Sequence, residues 1–134
     1  MGLDLGEKRI GVAVTDPDGK MAFPERVVTR RSAKVDRQTL AGLVRELKVD
    51  RVVIGLPLSM DGEAGPNADR ARGFGQYLGR VLTVPIDFQD ERLTTIEAEQ
   101  RLRESGISSA ERRKRIDAAA AAVILEDYLR AQGT

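Results

Sequence analysis

Asp4 stands inside an apolar segment, Gly2-Leu3-Asp4-Leu5-Gly6, that reads as a buried strand. An ionised carboxylate there is costly unless it is paired or bound to a cation. Asp117 is a second acid out of place. At helical spacing, positions 117, 120, 121, 124 and 128 share one face and read Asp, Ala, Ala, Ile, Tyr, so this acid heads an apolar stripe. Asp90 and Glu91 supply a third acidic position, between a strand and a helix. The carboxyl ends of strands are where an α/β sheet places its ligand site. Separated carboxylates that converge without histidine suit a hard, oxygen-preferring ion such as Mg²⁺ or Mn²⁺. Two such ions across a phosphodiester would activate a water and stabilise the leaving oxygen.

What the chain lacks narrows the chemistry further. Among 134 residues there is no cysteine and no histidine. That excludes disulfides, thiol nucleophiles, thiolate or imidazole zinc sites, and any Ser-His-Asp mechanism. Three Phe, two Tyr and no Trp argue against a base-stacking surface built from several rings. The net charge of +1, from 22 basic and 21 acidic residues, gives no bulk pull toward nucleic acid. Arginine nevertheless outnumbers lysine by 17 to 5, and guanidinium is the better fork for phosphate oxygens. Lys8 and Arg9 follow Asp4 in a turn, and Arg112, Arg113, Lys114 and Arg115 lie just before Asp117. Arg26, Arg30, Arg31 and Lys34 form another cluster. Such runs are commonly solvated faces, but their closeness to the candidate acids offers a path for a polyanion. No stretch has the length and apolarity of a membrane span, and no signal-peptide pattern is present, so the expected location is the cytoplasm.

The elements that must position these side chains are legible from patterning. Met1–Leu5, Ile10–Thr15 and Ala22–Val28 read as three strands whose connections are too short for crossovers, hence antiparallel. Pro24 pushes the third toward a sheet edge. Val35, Leu40, Leu43, Val44 and Leu47 fall at helical period, and Val49–Leu56 is a near-continuous apolar run that fits a central strand. A helix over Asn67–Leu82 and a short strand over Val84–Phe88 follow. Capping-box patterns at Thr94/Glu97 and Ser108/Glu111 open two final helices, one ending at Gly106 and one near Leu129. The alanine run Ala118–Ala122 removes side-chain bulk, which lets the last helix approach the sheet and carry Asp117 to a strand end. The resulting order, β-β-β-α-β-α-β-α-α, predicts one α/β domain over residues 1–134, a mixed five-stranded sheet covered on both faces.

Four blocks carry a family resemblance: Asp4 through Ala13, Val53-Ile54-Gly55-Leu56-Pro57, Asp90-Glu91-Arg92-Leu93-Thr94-Thr95, and Ile116-Asp117 leading into the alanines. In this order, and spread over essentially the whole chain, they closely resemble the YqgF family, also called RuvX, which is similar in fold to the RuvC Holliday-junction resolvases. The departure is that little chain precedes Asp4, which leaves the length of the first strand open. The resemblance implies an RNase H-like fold and a bacterial cytoplasmic nuclease that matures the 5′ end of 16S ribosomal RNA or resolves branched DNA. It assigns metal-ligating, catalytic roles to Asp4, Glu91 and Asp117, with Asp90 as the rival of Glu91. Many RNase H-like nucleases carry an acid at the end of the fourth strand, where this chain reads Gly55-Leu56-Pro57. Lys8, Arg9, Arg92, Thr95, Arg113 and Lys114 are the candidates for nucleic-acid contact, with Thr94 equally readable as a simple helix cap.

Two other classes fit part of the pattern. Asp4-Leu5-Gly6 followed by Ile10-Gly11-Val12-Ala13 also resembles the first phosphate loop of the actin, sugar-kinase and Hsp70 group. Those proteins close two such domains around a nucleotide, and 134 residues supply one. A non-catalytic RNA-binding module would use the same basic residues with purely structural acids. RNA against DNA, Mg²⁺ against Mn²⁺, and monomer against homodimer stay open at this level, because phosphate contacts carry no base information.

Overall fold

The computed structural model describes residues 1–57, 65–90 and 109–132, with side chains of the last helix described from Asp117 onward. Its elements are β1 (Gly2–Leu5), β2 (Arg9–Thr15), β3 (Ala22–Thr29), α1 (Ala33–Glu46), β4 (Val52–Leu56), α2 (Pro66–Val81), β5 (Ile86–Asp90) and α3 (Ser109–Ala131). The helix expected between Thr94 and Gly106 lies outside the described residues.

The five strands form one sheet in the order β3-β2-β1-β4-β5. β1, β2 and β3 pair antiparallel, whereas β4 runs parallel to β1 and β5 parallel to β4. The mixed sheet with three antiparallel strands first is thus borne out, and β3 with Pro24 is an edge. All of β4 is buried, as its unbroken apolar run requires. Its start shifts from Val49 to Val52, because Leu47, Lys48 and Val49 close the end of α1 through the bond from the Val49 N–H to the Val44 carbonyl. The fifth strand also starts later than expected, at Ile86: Pro85 has no N–H for the ladder, and its carbonyl instead accepts from Val52.

Alternation along the strands divides the interior into two layers. Leu3, Ile10, Val12, Val52 and Ile54 pack with Leu40 and Leu43 of α1 and Phe74 and Leu78 of α2. Ala13, Ala22 and Val53 face the other way, onto Ala121, Ile124, Leu125 and Tyr128 of α3. Burying both faces is what makes these short strands a stable unit. Ser32 caps α1 by accepting from the Val35 N–H at 3.1 Å, and Pro66 occupies the first turn of α2, where a missing N–H costs nothing.

The inner face of α1 differs from the apolar period at its first position. Val35 is 39% exposed, and Asp36 takes the inner position at 2%. Its carboxylate accepts from the Arg31 N–H at 3.0 Å and lies 3.4 Å from Arg30 Nε. Asp36 heads the stripe Leu40-Leu43-Val44 just as Asp117 heads its own.

Candidate active site

Gly11 links the strand position of Asp4 to the helix position of Asp117 through a single close approach. In the β1–β2 ladder Asp4 lies opposite Gly11. A Cβ on Gly11 would stand 1.8 Å from the Asp117 carbonyl oxygen, so no other residue fits between the strand and α3. A Cβ on Gly2 would stand 2.8 Å from the Ala121 oxygen, which repeats the fit one turn further along. Between them Ala118–Ala122 are at most 6% exposed. Two strand glycines and an alanine run therefore let α3 lie directly on the sheet, with Asp117 seated beside the strand position paired to Asp4.

Asp4 is half-buried, and Asp117 retains 19% side-chain exposure at the mouth of a cleft of about 290 Å³ lined by Gly6, Glu7, Lys8, Arg9 and Asp117. Arg9 Nε donates to Asp117 Oδ2 at 2.8 Å, so this guanidinium rests on a carboxylate while remaining 49% exposed. The turn that carries Lys8 is held by Arg30, which follows the end of β3. The Arg30 N–H donates to the Lys8 carbonyl at 2.9 Å, and Arg30 NH1 to the Gly6 carbonyl at 2.8 Å. Arg30, grouped by sequence with the basic path, is thus a brace: Asp36 neutralises it and it fixes the β1–β2 turn. Sequence reasoning missed Asp36, although a carboxylate heading an apolar helical stripe was the very signal that singled out Asp117.

The third acidic position divides at the strand end. Leu3, Ile54 and Phe88 lie side by side in register, so Asp4, Gly55 and Gln89 share the next level and the opposite face, toward α3. Asp90 is the last residue of β5, paired with Leu56, and alternation directs it toward the face of α1 and α2. It is also two strands from Asp4, about 10 Å at ordinary strand spacing. Glu91, Arg92, Thr94 and Thr95 lie outside the described residues, as do the side chains of Arg113 and Lys114. Among the described residues no three acids cluster closely enough to hold a metal ion. Asp4 and Asp117 flank the contact of β2 with α3 at Gly11, and carboxylate oxygens are hard donors of the kind that suits Mg²⁺ or Mn²⁺.

A family model described as RuvX, Holliday junction resolvase, matches residues 1–131. The chain belongs to the RuvX family. Among RuvX relatives, one from Anaeromyxobacter sp. (strain Fw109-5) is 49% identical over 129 residues, 96% of this chain and 94% of its own. One from Halothermothrix orenii is 40% identical over 132 residues, 98% of this chain and 94% of its own. Both bear the name "Putative pre-16S rRNA nuclease". Among solved structures, Thermus thermophilus RuvC in complex with a Holliday junction substrate aligns with a TM-score of 0.60 at 15% identity, over 99% of this chain and 94% of that one. Fowlpox virus resolvase aligns at 0.56 and 12% identity, over 99% and 97%. At such identities the likeness concerns the fold, and it establishes the RNase H-like architecture expected of a RuvX chain. No helix among the described residues is long and apolar enough to cross a membrane.

Proposed function

We propose that this chain, as one RNase H-like domain, is a metal-dependent nuclease that hydrolyses phosphodiester bonds in maturing the 5′ end of pre-16S rRNA in the cytoplasm. The observation that supports the reading is the seating of Asp117 against Gly11, the ladder partner of Asp4, through two strand glycines and an alanine run. The names borne by relatives up to 49% identical support the RNA substrate.

Asp4, Asp117 and Glu91 would hold Mg²⁺ or Mn²⁺. Bound there, the ion supplies positive charge to a scissile phosphate and acidity to an attacking water. Asp4 contributes a carboxylate fixed by the sheet, and Asp117 one fixed by helix packing, so neither must be ordered when substrate arrives. Asp90 is directed toward the face of α1 and α2, so Glu91 is the third ligand in this proposal. Lys8 and Arg9 project from the rim of the cleft, where charge-assisted donation to phosphate oxygens orients the strand. Arg92, Thr95, Arg113 and Lys114 are the further contacts to the polyanion in this proposal.

Hydrolysis of a four-way DNA junction is the second reading, favoured by the description of the matching family model. The test is cleavage of an end-labelled precursor rRNA fragment beside a four-way junction, in Mg²⁺ and in Mn²⁺, by wild type, Asp4→Asn and Asp117→Asn. Cleavage of the RNA that falls about 100-fold or more in both variants is the expected result. Cleavage of the junction alone would select the second reading. No cleavage of either, with RNA binding unchanged in both variants, would leave a binding module.

A further inference from the structure

On the face of the sheet away from Asp117, a groove of about 620 Å³ opens between α1 and α2 at the carboxyl ends of β1 and β4. Its size is that of a pocket for one small organic ligand. The floor is apolar, from Leu5, Pro57 and Phe74, and the rim carries Arg37, Arg70 and Tyr77. Tyr77 is 52% exposed, a large ring left at the surface, with the Arg37 and Arg80 guanidinium carbons 5.1 and 5.0 Å from its centroid. Arg70 donates to Asn67 Oδ1 at 2.9 Å and is otherwise exposed. Of the other charged groups among the described residues that line the groove, Arg30 is neutralised by Asp36, and Glu7 is the single acid. The lining is therefore aromatic and net cationic, which complements a base joined to a phosphate.

Two further observations point the same way. Gly6 and Glu7 line both this groove and the cleft of Asp117, so the β1–β2 turn is the shared lip of the two. Gly73 lies in the middle of α2 on the groove wall, and a Cβ there would meet nothing within 4 Å. Packing does not require this glycine, and its missing side chain keeps the groove open. Gly75, two residues on, is the contrast: its Cβ would stand 2.7 Å from the Phe88 ring.

We propose that the groove between α1 and α2 takes an unpaired nucleotide flanking the scissile bond, with its base against Tyr77 and its phosphate on Arg37 and Arg70. The strand leaves the cleft of Asp117, crosses the β1–β2 turn and drops its single-stranded flank into the groove. This rests on the nuclease reading for the source of the strand, so the test measures binding alone. The full chain is titrated, with EDTA present, against labelled RNA duplexes that are blunt or carry a short 5′ or 3′ single-stranded extension. Wild type is expected to bind one extended duplex about tenfold more tightly than the blunt one, the scale of one base stacked on one ring. Tyr77→Ala, the double variant Arg37→Gln/Arg70→Gln, and Gly73→Leu each bring the extended duplex to the blunt affinity. Gly73→Ala, which leaves the groove open, keeps the preference and shows that the helix tolerates a side chain there. No preference in wild type, a preference that survives the three groove variants, or an equal loss on blunt duplex each overturns the proposal. Failure of the nuclease reading would show in the cleavage assay and leave this contrast standing.

Discussion

At the scale of single residues, the ion pair between Arg9 and Asp117 sets a competition. A carboxylate whose Oδ2 already accepts from a guanidinium at 2.8 Å has part of its charge engaged before a metal ion arrives. Arg9→Gln is therefore expected to tighten Mn²⁺ binding in calorimetric titration by about two- to fivefold, the worth of an exposed pair. The same variant loses cleavage rate, because a donor to phosphate is gone. Unchanged metal affinity would show that the pair imposes no cost on the site. Asp36 illustrates the opposite case, a carboxylate 2% exposed whose partner braces the β1–β2 turn. Asp36→Ala leaves Arg30 without its partner, and urea denaturation should show a loss of about 3 kcal/mol.

At the scale of elements, the contact of α3 with β2 admits no added atom. Gly11→Ala places a methyl group 1.8 Å from the Asp117 oxygen, so the helix must move or the strand must bend. A destabilisation of about 3 kcal/mol is expected, together with loss of metal binding as Asp117 shifts from Asp4. Normal metal affinity in that variant would sink the idea that this contact assembles the site. α2 behaves in the reverse sense at Gly73, where a methyl group meets open space. Gly73→Ala should raise stability by about 1 kcal/mol through helix propensity alone, a gain readable in a thermal melt.

At the scale of the whole molecule, α3 is fastened a second time beyond its alanine run. The Tyr128 hydroxyl donates to Asp87 Oδ2 at 2.5 Å, and Arg51 NH1 donates to the same oxygen at 2.6 Å. β4's leading residue, β5 and the end of α3 are thereby joined. These bonds to the charged carboxylate hold Asp87 below its ordinary value of 3.8, and the same bond raises the Tyr128 phenol above 10.0. The unfolded chain then binds the Asp87 proton more readily than the folded one. Stability from this group is complete above pH 3.8 and is lost as pH falls through the depressed folded value. Tyr128 has the opposite sign: its contribution is complete below pH 10 and is lost as pH rises through the raised folded value. Denaturation midpoints against pH should lose the acid slope in Asp87→Asn and the alkaline slope in Tyr128→Phe. Slopes unchanged in both variants would exclude this clamp as their source.

Much of this was readable before any fold was known, and the reason is local. Buried strands must be apolar and amphipathic helices periodic, so the antiparallel start, the central β4 and the edge β3 follow from patterning. Asp4 and Asp117 stood out because each breaks such a pattern. The alanine run announced a close helix–sheet contact, but which glycines receive it depends on the strand register, and a register is a relation between distant segments. The same register decided the face of Asp90. Asp36 escaped notice because Val35 beside it offered an equally apolar reading, and only packing chose between them. The groove of Arg37, Arg70 and Tyr77 is the clearest product of tertiary structure. Two aromatic rings in α2 count for little in a composition, yet the sheet sets them beside arginines of both helices, one turn of chain away from the acids.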